Sequence, residues 1–327
     1  APTSLTFTPV NWSINQTVTV SGVDDAVQDG DVAYSVVLDA AVSADPNYSG
    51  MAVADVGVTN SDDDAAGIVV SPLAGLVVTE AGGTATFSIV LGSQPTADVS
   101  IALASSNLTE GTVSPLSVTF TAANWNVSQS VTVTGVDDAV DDGNVAFTVL
   151  TAGASSSDPN YGGVDAGDVS ASNTDDDDAG ISVTPVAGLI TTEAGGTASF
   201  AVVLGSQPTA DVSIALASSD ASEGTIAPAS LTFTAANWNV AQTVTVTGVD
   251  DLVQDGDIAY TVTLAQAVSS DPLYAAIDPA DVSASNSDDD VAGISVTPVA
   301  GLVTTEAGGT ASFAVVLGSQ PTADVSI

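Results

Sequence analysis

Along residues 84–91, TATFSIVL, apolar and polar positions alternate, so that Phe87, Ile89 and Leu91 fall on one face and Thr86, Ser88 and Val90 on the other. Alternation of period two over four to eight residues marks a strand with one buried face. Seven or eight such runs fill the surrounding stretch, at 67–72, 76–79, 84–91, 98–104, 116–121, 129–136, 144–151 and 167–173, each bounded by turn-forming residues. Helical periodicity is evident nowhere. The pattern predicts an all-β chain built as an antiparallel sandwich.

The pattern then repeats. Trp12, Trp125 and Trp238 are spaced by 113 residues, as are Gly67, Gly180 and Gly293, and residues 180–214 and 293–327 differ only at Ile190 and Val303. A unit of this size can bury its own core, so the repeat is expected to be a domain rather than one layer of a solenoid. The expected divisions are the C-terminal part of a repeat at 1–66, complete repeats at 67–179 and 180–292, and the N-terminal part of another at 293–327. Two assemblies follow for the partial repeats. Either the array continues covalently, or one subunit completes its neighbour by strand complementation and builds a filament.

Charge changes the picture. Among 327 residues there are 40 Asp and Glu and no Lys, Arg, His or Cys. No salt bridge between side chains is possible within the chain. Nucleic acid and anionic membrane surfaces are bound through Lys and Arg, so neither is an expected partner. No disulfide framework exists to brace an extracellular protein, and something else must do so. No apolar run is long enough to span a bilayer, so no direct membrane insertion is expected of this stretch, and any export signal or anchor is expected outside it. Without His, Cys, Lys or Arg there is no ordinary base for a nucleophile and no clamp for phosphate, so the chain is read as non-enzymatic.

The carboxylates fall at fixed phases of the repeat. One glutamate precedes a strand (Glu80, Glu193, Glu306) and another lies in TEGT or SEGT (Glu110, Glu223). The recurring GVDDAVQDG motif supplies Asp24, Asp25 and Asp29; Asp137, Asp138 and Asp142; and Asp250, Asp251 and Asp255. A terminal triplet supplies Asp62, Asp63 and Asp64; Asp175, Asp176 and Asp177; and Asp288, Asp289 and Asp290. Alternate turns of a sandwich lie at the same end, so these groups can share one pole, facing the next domain. Acidic runs are often only solvated turns. Here their fixed phase and the absence of any basic residue favour a bound cation, because carboxylates gathered so closely repel one another. Ca2+ takes six to eight oxygen ligands and needs no nitrogen or sulfur, whereas zinc prefers His and Cys. A mid-loop carbonyl such as that of Val27 can add a neutral ligand. The spacing is not that of an EF-hand.

Four segments together, VVTEAGGTATFSIVL (77–91), SVTFTAANWNVSQSVTVTGVDDAVDDG (117–143), VAFTV (145–149) and NTDDD (173–177), resemble the Calx-β family over nearly the whole repeat. The resemblance implies an immunoglobulin-like Greek-key sandwich with calcium at one pole. It implies ligands at Glu80, Glu110, Asp137, Asp138, Asp142 and Asp175 to Asp177, with the Val140 carbonyl, and at the equivalents one repeat later. This chain carries VQDGD and SEGT where that family has a Glu-rich cluster and a DY pair.

The expected function is a structural array: a calcium-stiffened stalk or fibre of a bacterial surface or secreted protein, with neighbouring repeats or identical subunits as its partners. An adhesin holding a glycan or cell-surface ligand through its loops is an alternative, as is a calcium sensor. Trp12, Trp125 and Trp238 are expected to close the ends of their cores rather than to stack on sugar. The SDPNY stretch at 157–161 reads as a surface loop, open to contacts or merely connecting.

Overall fold

The computed structural model describes residues 2–327, and among them there is no helix. The chain divides into two compact units, residues 1–137 with 144–174, and residues 138–143 with 175–327.

In the first unit, β1 (Val32–Val36) and β2 (Val56–Asn60) pair antiparallel. A sandwich follows, made of β3 (Ile68–Ser71), β4 (Leu76–Thr79), β5 (Thr84–Leu91), β6 (Val99–Ser105), β7 (Gly111–Ser114), β8 (Ser117–Phe120), β9 (Gln129–Gly135), β10 (Val145–Thr151) and β11 (Val169–Thr174). One sheet runs β3-β5-β9-β7 and the other β4-β11-β10-β6-β8. Phe87, Ile89, Val131 and Val133 from the first sheet meet Ile101, Phe120, Phe147, Val149 and Val169 from the second in a single core.

The second unit builds the same sandwich one period later. Its strands are β12 (Ile181–Thr184), β13 (Leu189–Thr192), β14 (Thr197–Leu204), β15 (Val212–Ser218), β16 (Gly224–Ala227), β17 (Ser230–Phe233), β18 (Gln242–Gly248), β19 (Ile258–Leu264) and β20 (Val282–Ser287). They form sheets β12-β14-β18-β16 and β13-β20-β19-β15-β17. A last pair, β21 (Ile294–Thr297) and β22 (Ala314–Leu317), follows. The fold is therefore the expected all-β tandem of immunoglobulin-like sandwiches.

Two details depart from the strand pattern. Each sandwich has nine strands, because the short β7 and β16 pair with β9 and β18 on the far side from β5 and β14. The pairing is also mixed, since β4 lies parallel to β11 and β13 parallel to β20. Pro72, which cannot donate to a ladder, and Gly75 at φ +81 end β3 and let the chain cross to the other sheet.

Outside the two sandwiches the same positions lie open. Phe120 is 0% exposed, while Phe7, one period earlier, is 56% exposed. Phe200 is 2% exposed and its equivalent Phe313 is 59%. Trp125 and Trp238 pack partly buried against their cores, as expected, whereas Trp12 is exposed.

The SDPNY stretch is not a free loop. The Tyr161 hydroxyl donates to Ser93 O at 2.7 Å and accepts from Ser93 N–H at 2.9 Å, wholly buried. Asp158 accepts from Thr96 N–H at 2.7 Å and from Asn160 N–H at 2.8 Å. Burial alone would raise the Asp158 pKa, but these donors outweigh it and hold the carboxyl below its ordinary value. Tyr274, Ser206, Asp271 and Thr209 repeat the arrangement. Tyr161→Phe strips the partner from two buried main-chain groups. It is expected to cost about 1–3 kcal/mol in urea unfolding, and a change near zero would show the loop to be unanchored.

Candidate metal centre

The acidic loop is shaped first by its own main chain. Val27, Val140 and Val253 donate N–H to Asp25, Asp138 and Asp251 at 2.9, 2.8 and 2.7 Å. Such Asx turns are what Asp before a loop commonly forms. The loop is then tied to the terminal triplet: Gly30, Gly143 and Gly256 donate to the first Asp of each, Asp62, Asp175 and Asp288, at 2.7, 2.6 and 2.7 Å. The other oxygen of each receives the N–H of Asp64, Asp177 or Asp290 at 2.9, 2.9 and 2.8 Å. Two carboxylate clusters far apart in sequence are thus brought together by backbone amides.

The second sandwich shows the whole constellation within one unit. Glu193 is 2% exposed and Glu223 is 7% exposed. Single oxygens of Glu193, Asp288 and Asp290 lie within 4.8 Å of one another, as do those of Glu193, Asp250 and Asp289, and of Glu223, Asp251 and Asp255. Glu223 lies just before β16, Asp250 to Asp255 follow β18, and Asp288 to Asp290 follow β20, so three turns and the end of β13 meet at one pole. Ahead of the first sandwich, Asp24, Asp25, Asp29, Asp62, Asp63 and Asp64 line one cleft. Of the set between these, Glu80, Glu110 and Asp137 belong to the first unit, and Asp138, Asp142, Asp175, Asp176 and Asp177 to the second. Glu306 is exposed.

Electrostatics follow from this crowding. Burial, then the charges of Asp288, Asp251 and Asp255, push the Glu193 carboxyl above its ordinary value against one N–H donated by Asp289. Burial and the charges of Asp255, Asp220 and Asp251 do the same to Glu223, opposed by the Asn286 amide. Asp290 is raised by burial and by Asp288, Asp289, Asp250 and Asp251, and Asp64 by burial, Asp62, Asp63, Asp24 and Asp25. Every donor to a cation here is an oxygen, several are carboxylates, and two are buried. That donor set fits a hard divalent cation of calcium type and gives no purchase to a nitrogen- or sulfur-seeking metal.

Three supporting residues are not evident as site residues in the local pattern. Asn60, Asn173 and Asn286, on the strands leading to the triplets, donate Nδ2–H to Val23, Val136 and Val249 O, each at 2.9 Å. Glycine at 22, 135 and 248 makes room, since a Cβ there would collide with these asparagines. Their signal is the phase of Asn in GVTNS, SASNT and SASNS.

A second face of the loop clasps both the last residue of its own repeat and a residue of the repeat that follows. Ala26 O accepts from Gln94 N–H at 2.6 Å, and the Gln28 side chain accepts from Ala66 N–H at 2.5 Å. Ala139 O and Asp141 do the same for Gln207 and Ala179, at 2.6 and 2.8 Å, within the second unit. Leu252 O and Gln254 do so for Gln320 and Ala292, at 2.5 and 2.6 Å. In the first unit Asn160 adds a bond to Gln28 O at 2.7 Å. Residues 24–30, 138–143 and 251–256 therefore face carboxylates on one side and the next repeat on the other.

The raised groups set a pH dependence in chelator. Glu193 and Glu223 bind protons more tightly folded than unfolded, so their favourable contribution is complete below the ordinary Glu value and is lost as pH rises through the raised folded values. Without divalent ions, the second sandwich should melt at a higher temperature near pH ~5 than near pH ~7.5. Asp158 and Asp271, held below their ordinary value, stabilise at both and fail only under stronger acid. Equal melting at the two pH values would contradict the assigned strain.

No family model matches the chain, and no curated protein does. Among solved structures it is similar to CBD12 from CALX1.2, at 16% identity and TM-score 0.31 over 63% of this chain and 82% of that one. It is similar to the calcium binding domain CBD12 of CALX1.1, at 15% identity and TM-score 0.30 over 61% and 80%. It is also similar to domains 4 and 5 of the S-layer protein SbsC, at 14% identity and TM-score 0.27 over 57% and 77%.

Proposed function

We propose that this chain is part of a non-enzymatic structural array of tandem sandwiches, outside the cell or on a bacterial cell surface, in which Ca2+ braces each repeat against the next. The partners in this reading are the neighbouring repeats or further copies of the same array. The observation that carries it is the convergence of buried Glu193 and Glu223 with Asp250, Asp251, Asp255 and Asp288 to Asp290, in a chain with no Lys, Arg or His.

Magnitudes favour an ion over hydrogen bonding alone. Two carboxylates ~4 Å apart at an effective dielectric near 20 repel by about 4 kcal/mol. One hydrogen bond contributes about 0.5–1.5 kcal/mol net, or somewhat more to a charged group. The N–H groups of the loop shape the site without neutralising it. A divalent cation does both. Glu193, Asp288, Asp289, Asp290 and Asp250 would hold one ion, and Glu223, Asp251 and Asp255 an adjoining one.

The same loop supplies carboxylates and clasp, and this supports a mechanical role. An ion that orders Asp251 and Asp255 also orders Leu252 and Gln254 between them, which hold Gln320 and Ala292. Extracellular calcium modules work at Kd values of roughly 10⁻⁴–10⁻³ M. A brace needs no tighter binding.

Two measurements test this. Calcium at about a hundred times Kd should stabilise the sandwich by about 2.7 kcal/mol, and replacing Asp288, Asp289 and Asp290 together by Asn should abolish that gain in the second sandwich alone. Gln28→Ala should speed hydrogen exchange at Ala66 N–H several-fold in calcium while leaving the core amides protected. Indifference of the melting temperature to calcium and chelator alike would overturn the reading.

A further inference from the structure

The two complete sandwiches bury the same amide in the same place and support it differently. Asn173 and Asn286 are each 1% exposed. Each directs Nδ2–H towards buried glutamate, Asn173 to Glu80 at 3.4 Å and Glu110 at 3.5 Å and Asn286 to Glu223 at 3.4 Å, as well as to the main-chain carbonyl already described. Beneath Asn286 lie Thr191 and Tyr260, whereas the matching positions of the first sandwich are Val78 and Phe147, and all four are buried. Both differences turn an apolar group into a hydroxyl.

The hydroxyls form a directed chain. Thr191 Oγ1 lies 3.0 Å from Asn286 Oδ1 and 3.0 Å from the Tyr260 hydroxyl. An amide oxygen only accepts, and Asn286 Oδ1 at 3.0 Å is nearer than the other acceptor, Ser285 O at 3.3 Å, so the Thr191 proton points to Asn286 and Tyr260 donates to Thr191. The polarity then runs from Tyr260 through Thr191 and Asn286 to the Glu223 carboxylate. In the first sandwich Val78 and Phe147 offer nothing to the amide, and Asn173 Oδ1 is buried with no hydrogen-bond partner among the described residues.

We infer that Thr191 and Tyr260 are positioning residues that make the second sandwich a tighter calcium site than the first; the inference rests on the calcium reading above. With its oxygen held from below, the Asn286 amide has one orientation, its N–H groups facing Glu223. The carboxylate is thereby kept as an acceptor in place before an ion arrives, and less ordering remains to be done on binding. The Asn173 amide is held from its nitrogen side only. One added hydrogen bond in a buried chain corresponds to roughly five- to tenfold in an equilibrium constant.

Side-chain amide resonances of Asn173 and Asn286, followed by NMR during calcium titration of the full chain, report the two sandwiches separately. The Asn286 signal should reach its midpoint at a calcium concentration about five- to tenfold lower than Asn173. The near-isosteric pair Thr191→Val with Tyr260→Phe removes both hydroxyls together. It should move the Asn286 midpoint up to that of Asn173, while Val78→Thr with Phe147→Tyr should move the Asn173 midpoint down. A purely structural role would lower the melting temperature and leave the midpoints in place. A single shared midpoint, or an Asn286 midpoint unmoved in the first variant, overturns this inference alone. If neither amide responds to calcium, the calcium reading falls and this inference with it.

Discussion

Every feature of this chain answers to one constraint: forty acidic side chains and no basic one. In most proteins clustered carboxylates are relieved by Arg and Lys, and the relief can be placed wherever a long side chain reaches. Among the described residues the internal relief comes from backbone N–H groups, side-chain amides and hydroxyls such as Ser287 on Asp257, none of which carries a charge. The acidic loops are consequently laced with short bonds from Val253, Gly256 and Asp290 to carboxylate oxygens. Those bonds fix geometry. They leave the charge in place, as the raised Glu193, Glu223 and Asp290 record.

The sandwich turns this local strain into a position. Strands β13, β18 and β20 end at one pole, and the turn before β16 adds Glu223 there, so residues up to about a hundred positions apart converge without any long-range ionic attraction. Hydrophobic burial of both sheet faces, centred on Phe200, Phe233, Val244 and Val262, holds the repelling groups together. Burial is the driving force and the carboxylates are carried with it. The clasp extends the same logic past the repeat, since the loop that bears Asp25 and Asp29 also bears Ala26 and Gln28.

Much of this is legible from residue order. The alternation at 84–91 and 129–136 marks β5 and β9 because both bury one face, and the fixed phase of Glu and Asp marks the pole. Other parts are hidden for physical reasons. GTVS at 111–114 is too short to display a period, and Gly111 is required because the Phe147 ring occupies the space a Cβ would take. The parallel pairing of β4 with β11 depends on which sheet the chain crosses to after Pro72, which local alternation does not encode. Gln28 reads as an ordinary loop residue, since the amide it holds is 38 positions away. Asn286 reads as one polar position of a strand, and its role emerges only when Thr191 and Tyr260 are found beneath it.

The central claim is that the missing counter-charge is a bound divalent cation at the pole of each sandwich. Anomalous diffraction from crystals grown in calcium locates such ions without reference to stability or motion. The account predicts anomalous peaks among Glu193, Asp250 and Asp288 to Asp290, and between Glu223, Asp251 and Asp255, ligated by oxygen at about 2.3–2.6 Å. A map showing only water at these carboxylates in saturating calcium would contradict it.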